Sequence, residues 1–100
     1  MNVIADVCIV PMGVGVSVSQ YIAICERIFE DTGLNPQLHA FGTNIEGEWD
    51  IVNAAIKKCH EEIHQSGAPR IITTIHIGTR TDRQQTMRDK VASVEALLTQ

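Results

Sequence analysis

The sequence predicts an α+β fold of the ferredoxin-like type, β-α-β-β-α-β, with a four-stranded antiparallel sheet and an extra C-terminal helix. Two apolar runs rich in β-branched residues lie near residues 3–10 and 71–77. Two stretches of helical period lie between them, separated by a segment long enough only for a hairpin. These three observations fix the order of elements.

Val3 to Val10 is nearly continuous in apolar residues, and Pro11 and Gly13 follow it, as expected of a central strand. Val18, Tyr21, Ile22, Cys25, Ile28 and Phe29 then recur at helical spacing. Ser17 or Ser19 is the expected cap and Gly33 the expected end. Leu38 to Phe41 reads as a short strand, Gly42 to Asn44 as a turn, and Ile45 to Trp49 as the returning strand. Asp50 is the expected cap of a second helix, with Val52, Ala55, Ile56, Cys59 and Ile63 on one face. Gly67 ends it and Pro69 blocks its continuation. Ile71 to Ile77 is the fourth strand. A third helix follows, with Thr81 or Asp82 as its expected cap and Met87, Val91, Val94 and Leu98 as its stripe.

One hundred residues predict a single domain over residues 1–100. A chain this short buries only roughly 60–65% of its unfolded surface. Strand one is mostly apolar on both faces, where a strand wetted on one side would alternate. Both points predict self-association, as a dimer or tetramer, over the face the helices leave open. The net charge of −4, with basic residues scattered, lacks the footprint of nucleic-acid binding. No apolar run approaches the roughly 18 residues of a membrane span. The first residues carry no basic region and Asp6 interrupts the apolar run, so no signal peptide is expected. Cys8, Cys25 and Cys59 are odd in number and dispersed, which fits reduced thiols and a cytoplasmic location.

The segment Gly42-Thr43-Asn44-Ile45-Glu46-Gly47-Glu48-Trp49 carries the strongest functional signal. Glycine admits close approach. Thr43, Asn44 and Glu46 supply donors, acceptors and a negative charge, and Phe41 and Trp49 supply aromatic faces. A small, flat, partly cationic ligand suits such a set; a plain hairpin built from turn-forming residues is the alternative. Four short pieces in order, Val10-Pro11-Met12-Gly13, Ser17-Val18-Ser19, Gly42 through Asp50, and Ile77-Gly78-Thr79-Arg80-Thr81-Asp82, cover nearly the whole chain. Through them the chain resembles a family of small thiamine-binding proteins related to the bacterial YkoF-type thiamine-binding domain. The resemblance implies a ferredoxin-like fold, a dimer or tetramer, and non-catalytic binding of thiamine or a hydroxymethylpyrimidine-like ligand, with no other cofactor. In this fold strands one and three are antiparallel neighbours, which would bring Ser17 and Ser19 toward Thr43, Asn44 and Glu46. The expected ligand set is Ser17, Ser19, His39, Phe41, Thr43, Asn44, Glu46 and Trp49. In the bland alternative the serines cap a helix, Trp49 is core and Glu46 is solvated.

Three further patterns compete. His60-Glu61-Glu62-Ile63-His64 spells the zinc-protease motif, but a catalytic zinc needs a third protein ligand and no segment delivers one. No metal site is expected. Gly13-Val14-Gly15 begins a dinucleotide fingerprint and fails at its third glycine, where Val18 stands. His39 and His76 should share the open sheet face with Asp6, Cys8 and Glu46, so a small enzyme using these groups as general acid and base is a rival reading. A purely structural oligomer is another. Arg80, Asp82 and Arg83 form a charged corner for which a role in assembly is expected.

Overall fold

A computed structural model describes residues 1–100. The elements are β1 (Asn2–Met12), α1 (Ser19–Asp31), β2 (Gln37–His39), β3 (Gly42–Glu48), α2 (Trp49–Gln65), β4 (Arg70–Thr79) and α3 (Met87–Leu98). The four strands form one antiparallel sheet in the order β2-β3-β1-β4. This is the expected β-α-β-β-α-β architecture with its terminal helix.

Alternation decides which residues meet the helices. Val3, Ala5, Val7 and Ile9 are buried against α1 and α2, together with Ile45 of β3. Tyr21, Cys25, Ile28 and Phe29 of α1 meet them, as do Val52, Ala55, Ile56, Cys59 and Ile63 of α2. Leu34 completes this core, because Gly33 adopts a positive φ of 73° and turns the chain back under α1. Gly47 leaves room for it: a methyl group there would lie 2.6 Å from Leu34 Cδ2.

The opposite sheet face carries no helix. Register places Asn44, Asp6 and His76 in one row across β3, β1 and β4, with Gln37 of β2 opposite Asn44. Cys8 and Thr74 form the next row, and Ile4 stands between Glu46 and Gly78. Val10, Met12 and Ile72 are exposed on this face.

Several expected boundaries move. The hairpin turn is Ala40–Phe41, not Gly42–Asn44, and Gly42 through Asn44 already pair with β2. Turn chemistry suggested a bend at Gly42, but backbone pairing with Val7 and Asp6 on the neighbouring strand holds this segment extended. Ser17 and Ser19 do not cap α1; Val18 stands at the cap, with no side-chain hydrogen bond. Glu48 rather than Asp50 occupies the cap of α2. Its carboxylate instead receives the N-terminal ammonium at 2.7 Å. Helix α3 starts later than expected. Its cap is Thr86, whose hydroxyl accepts from Asp89 N while the Asp89 carboxylate accepts from Thr86 N.

Candidate functional site

The eight expected ligand residues divide among separate places. Thr43 is buried on the helix side of the sheet and its hydroxyl donates to Glu26 Oε2 at 3.0 Å. Asn44 and Glu46 lie on the opposite side, since their positions alternate with Thr43 and Ile45. Glu46 sits well along β3 from the hairpin, opposite Ile4. One of its oxygens accepts from Asn35 Nδ2 at 3.0 Å and the other from Met87 N at 3.3 Å. Glu46 thus serves the start of α3. Trp49 packs against the core from the first turn of α2. Ser17 and Ser19 are exposed on either side of Val18.

What the fold does bring together is a cleft of about 300 Å³ between the first half of α1 and the β2–β3 hairpin. Val18, Ile22 and Phe29 form the helical wall, the outer half of β1 forms the floor, and His39, Phe41 and Thr43 close the hairpin side. The lining is predominantly apolar, with polar groups confined to one side, the usual composition of a small-ligand site. Phe41 is 86% exposed at the hairpin tip, where an aromatic ring without packing partners is free to cover a ligand.

Glu26 is the group the sequence reading missed. It sits four residues after Ile22 and three before Phe29, on the margin of the apolar face of α1. That spacing is the signal that could have found it. Burial raises its carboxyl above the usual range, opposed by the Thr43 hydrogen bond, while Glu30 raises it further. A carboxylate shielded in this way has a strong reason to accept a cation.

His39 is the second polar element. Its Nδ1 accepts from the Phe41 backbone N–H at 3.2 Å, so the ring proton of the neutral form is on Nε2. Nε2 then donates to Asp6 Oδ1 at 2.8 Å. Gly42 faces His39 across the hairpin. A methyl group there would lie 2.7 Å from Val7 O and 3.5 Å from Asp6 Oδ1. His76 Nδ1 approaches the other Asp6 oxygen at 3.8 Å. As expected from alternation, both histidines share the open face with Asp6. Both nitrogens of His39 are nevertheless engaged.

The histidines of the zinc-protease pattern each hold a structural partner. His60 Nε2 lies 2.6 Å from Thr73 Oγ1, and His64 Nδ1 donates to Ala68 O at 2.8 Å. Their ring centres are 6.3 Å apart. No cluster of three or more His, Cys, Asp or Glu side chains is arranged to hold a metal ion. No helix is long and apolar enough to cross a membrane.

Comparison with known proteins bears on the family and the fold. The sequence model of the family described as thiamine-binding protein matches residues 5–95. The UPF0045 protein sll0230 of Synechocystis is 59% identical over 98% of this chain and 81% of its own length. The UPF0045 protein ECM15 of Eremothecium gossypii is 43% identical, covering 98% of this chain and 94% of its own. A crystal structure of hypothetical protein MJ1052 from Methanocaldococcus jannaschii superposes with a TM-score of 0.86 at 30% identity, over 94% of this chain and 96% of that one.

Proposed function

From the premise that the chain belongs to the thiamine-binding protein family, we propose that it binds thiamine or its hydroxymethylpyrimidine part, without catalysis, in the cleft between α1 and the β2–β3 hairpin. The observation that carries this reading is the half-buried Glu26 carboxylate, which does not itself line the mainly apolar cleft but accepts from the hydroxyl of Thr43, which does. Thiamine joins two flat rings, one of them cationic. The apolar walls and the Phe41 ring take the ring faces. Glu26 supplies the negative charge and His39 an edge contact. Ser17 and Ser19 do not line the cleft but flank Val18, which does, and are kept in the proposed set on that adjacency alone. Asn44, Glu46 and Trp49 do not line this cleft and are left out of the proposed set.

The same reading puts the protein in a reducing, cytoplasmic setting, consistent with Cys8, Cys25 and Cys59 all being free. Self-association accompanies it, through the exposed apolar stripe of α3. The rival enzyme reading has the Asp6–His39 pair in its favour, but an imidazole with both nitrogens occupied has no lone pair left to take a substrate proton.

Calorimetric titration of the purified protein with thiamine and with hydroxymethylpyrimidine tests the proposal. Saturable heat is expected. Glu26→Gln should weaken thiamine by roughly 1.5–3 kcal/mol, the scale of a hydrogen bond to a charged group. Hydroxymethylpyrimidine, which lacks the fixed cation, should lose less. A larger loss from Glu46→Gln than from Glu26→Gln would move the site to the other end of the sheet and overturn this assignment.

A further inference from the structure

We propose that a second site, separate from the cleft, binds the phosphoryl group of a small polar phosphomonoester. It is a cavity of about 660 Å³ bounded by the start of β1, the ends of β3 and β4, the 80–86 loop and the start of α3. Arg80, Arg83 and Lys90 line it. The chain carries a net charge of −4 and only eight basic side chains, so three in one wall form a local exception to a field that otherwise repels anions.

Each cation has a definite state. The Arg80 guanidinium is fixed by Nε and Nη2 donating to the two Asp82 oxygens at 2.6 and 2.7 Å, and by Nη1 donating to Gln85 Oε1 at 2.8 Å. Asp82 therefore offsets part of the Arg80 charge and orients it. The side chains of Arg83 and Lys90 make no hydrogen bond or ion pair, although Arg83 is near enough to Asp82 and Asp89 to lower both carboxyls. Glu46, the one carboxylate in the wall, is already committed to Asn35 Nδ2 and to the backbone N–H of Met87. Two cationic side chains without a partner thus remain; the start of α3 beside them is already met by the Glu46 and Asp89 carboxylates, so the anion is left to the side chains.

A phosphoryl dianion, with several acceptor oxygens, is the ligand chemistry that such a set of forked and point-like donors satisfies best. The remaining walls point to what the phosphate is attached to. Only three of the 14 lining residues are hydrophobic, and Asn2, Thr79, Gln84, Gln85 and Thr86 offer amides and hydroxyls. They suit a hydroxylated body rather than flat apolar rings. This site does not depend on the thiamine reading: the cleft lies where Val7 pairs with Thr43, and the cavity beyond the pairing of Ile4 with Glu46.

Titration of the full chain with inorganic phosphate and with glycerol 3-phosphate, at constant ionic strength against chloride, decides the matter. Saturable binding of both is expected, with backbone NMR shifts concentrated at residues 78–90, while glycerol alone does nothing. The double variant Arg83→Gln/Lys90→Gln should lose about tenfold or more in affinity for both anions. Lys57→Gln, which removes an exposed charge on α2, should not. Thiamine binding should be the same in the double variant as in the wild type, so failure of one site is read separately from failure of the other. Absence of saturation with both anions, equal binding of acetate, NMR shifts spread over the whole surface, or an unchanged affinity in the folded double variant would each overturn the site.

Discussion

Glu26 keeps its carboxylate at the edge of α1, where burial raises its pKa and the Thr43 hydroxyl opposes the rise. A carboxyl raised by folding favours the folded state while protonated and loses that contribution as pH climbs through the folded value. Glutamine resembles the protonated acid. We therefore expect Glu26→Gln to leave the melting temperature at pH 7 equal or higher while it weakens thiamine. A matching fall in both would make Glu26 a structural residue. Asp82 has the opposite sign. The Arg80 guanidinium holds its carboxyl down, from an ordinary 3.8 to about 2. Its contribution is present above the ordinary value and is lost as pH falls through the lowered one. Thermal melts from pH 5 to pH 2 should show the wild type losing its advantage over Asp82→Asn across that interval; a constant gap would show that the pair contributes nothing when folded. These two carboxylates also mark what the sequence displayed and what it hid. The Arg80–Asp82 corner was visible as a run of charges. Glu26 was not, because one polar residue at the margin of an amphipathic helix looks like its solvated side until Thr43 is known to lie beneath it.

At the scale of elements, local pattern was a good guide wherever burial was periodic. The face of α2 is the one its spacing predicted, residue for residue, because five apolar side chains at helical intervals can meet a sheet in only one way. The β2–β3 hairpin departs from the expected turn for an equally physical reason. Gly42, Thr43 and Asn44 have turn chemistry, whereas the real turn, Ala40–Phe41, has little. Gly42 is glycine for space, not for bending. We predict that Gly42→Ala costs about 1–3 kcal/mol by denaturant unfolding, since the obstructing atom is a backbone carbonyl that cannot swing aside. Wild-type stability in this variant would show that the strands can separate there without loss. The cap of α3 was misplaced too. Thr86 and Asp89 have the spacing of a reciprocal cap, but the nearer Thr81 and Asp82 attracted the assignment.

The whole molecule measures 48 × 29 × 20 Å, and its radius of gyration of 14.9 Å exceeds the ~13 Å expected of a compact chain of this length. The excess comes with α3, in which only Met87 is buried and Val91 and Val94 are each 56% exposed. Val10, Met12 and Ile72 add to the apolar surface on the open side of the sheet. Surfaces of this kind mark contact with another chain. We expect a dimer or tetramer by light scattering, with Val91→Asp or Val94→Asp shifting it toward smaller species or aggregates, because an unpaired charge is costly in an apolar contact. A folded monomer at micromolar concentration would refute this. The stripe of α3 was legible in the sequence as apolar period, yet period alone cannot say whose surface it meets.

The ten-residue ladder between β1 and β4 joins the start of the chain to Thr79. During synthesis this has a cost in time. One edge of β1 waits, unpaired, while roughly thirty residues after β3 are translated, a delay on the order of seconds at ~5–20 residues per second. An apolar strand with an open edge is a template for mispairing with neighbouring nascent chains. Asp6, in the middle of β1 and half-buried on its open face, places a charge beside the side chains of any foreign strand that paired there. The residue that organises the two histidines in the finished protein is thus also placed to guard the unfinished one.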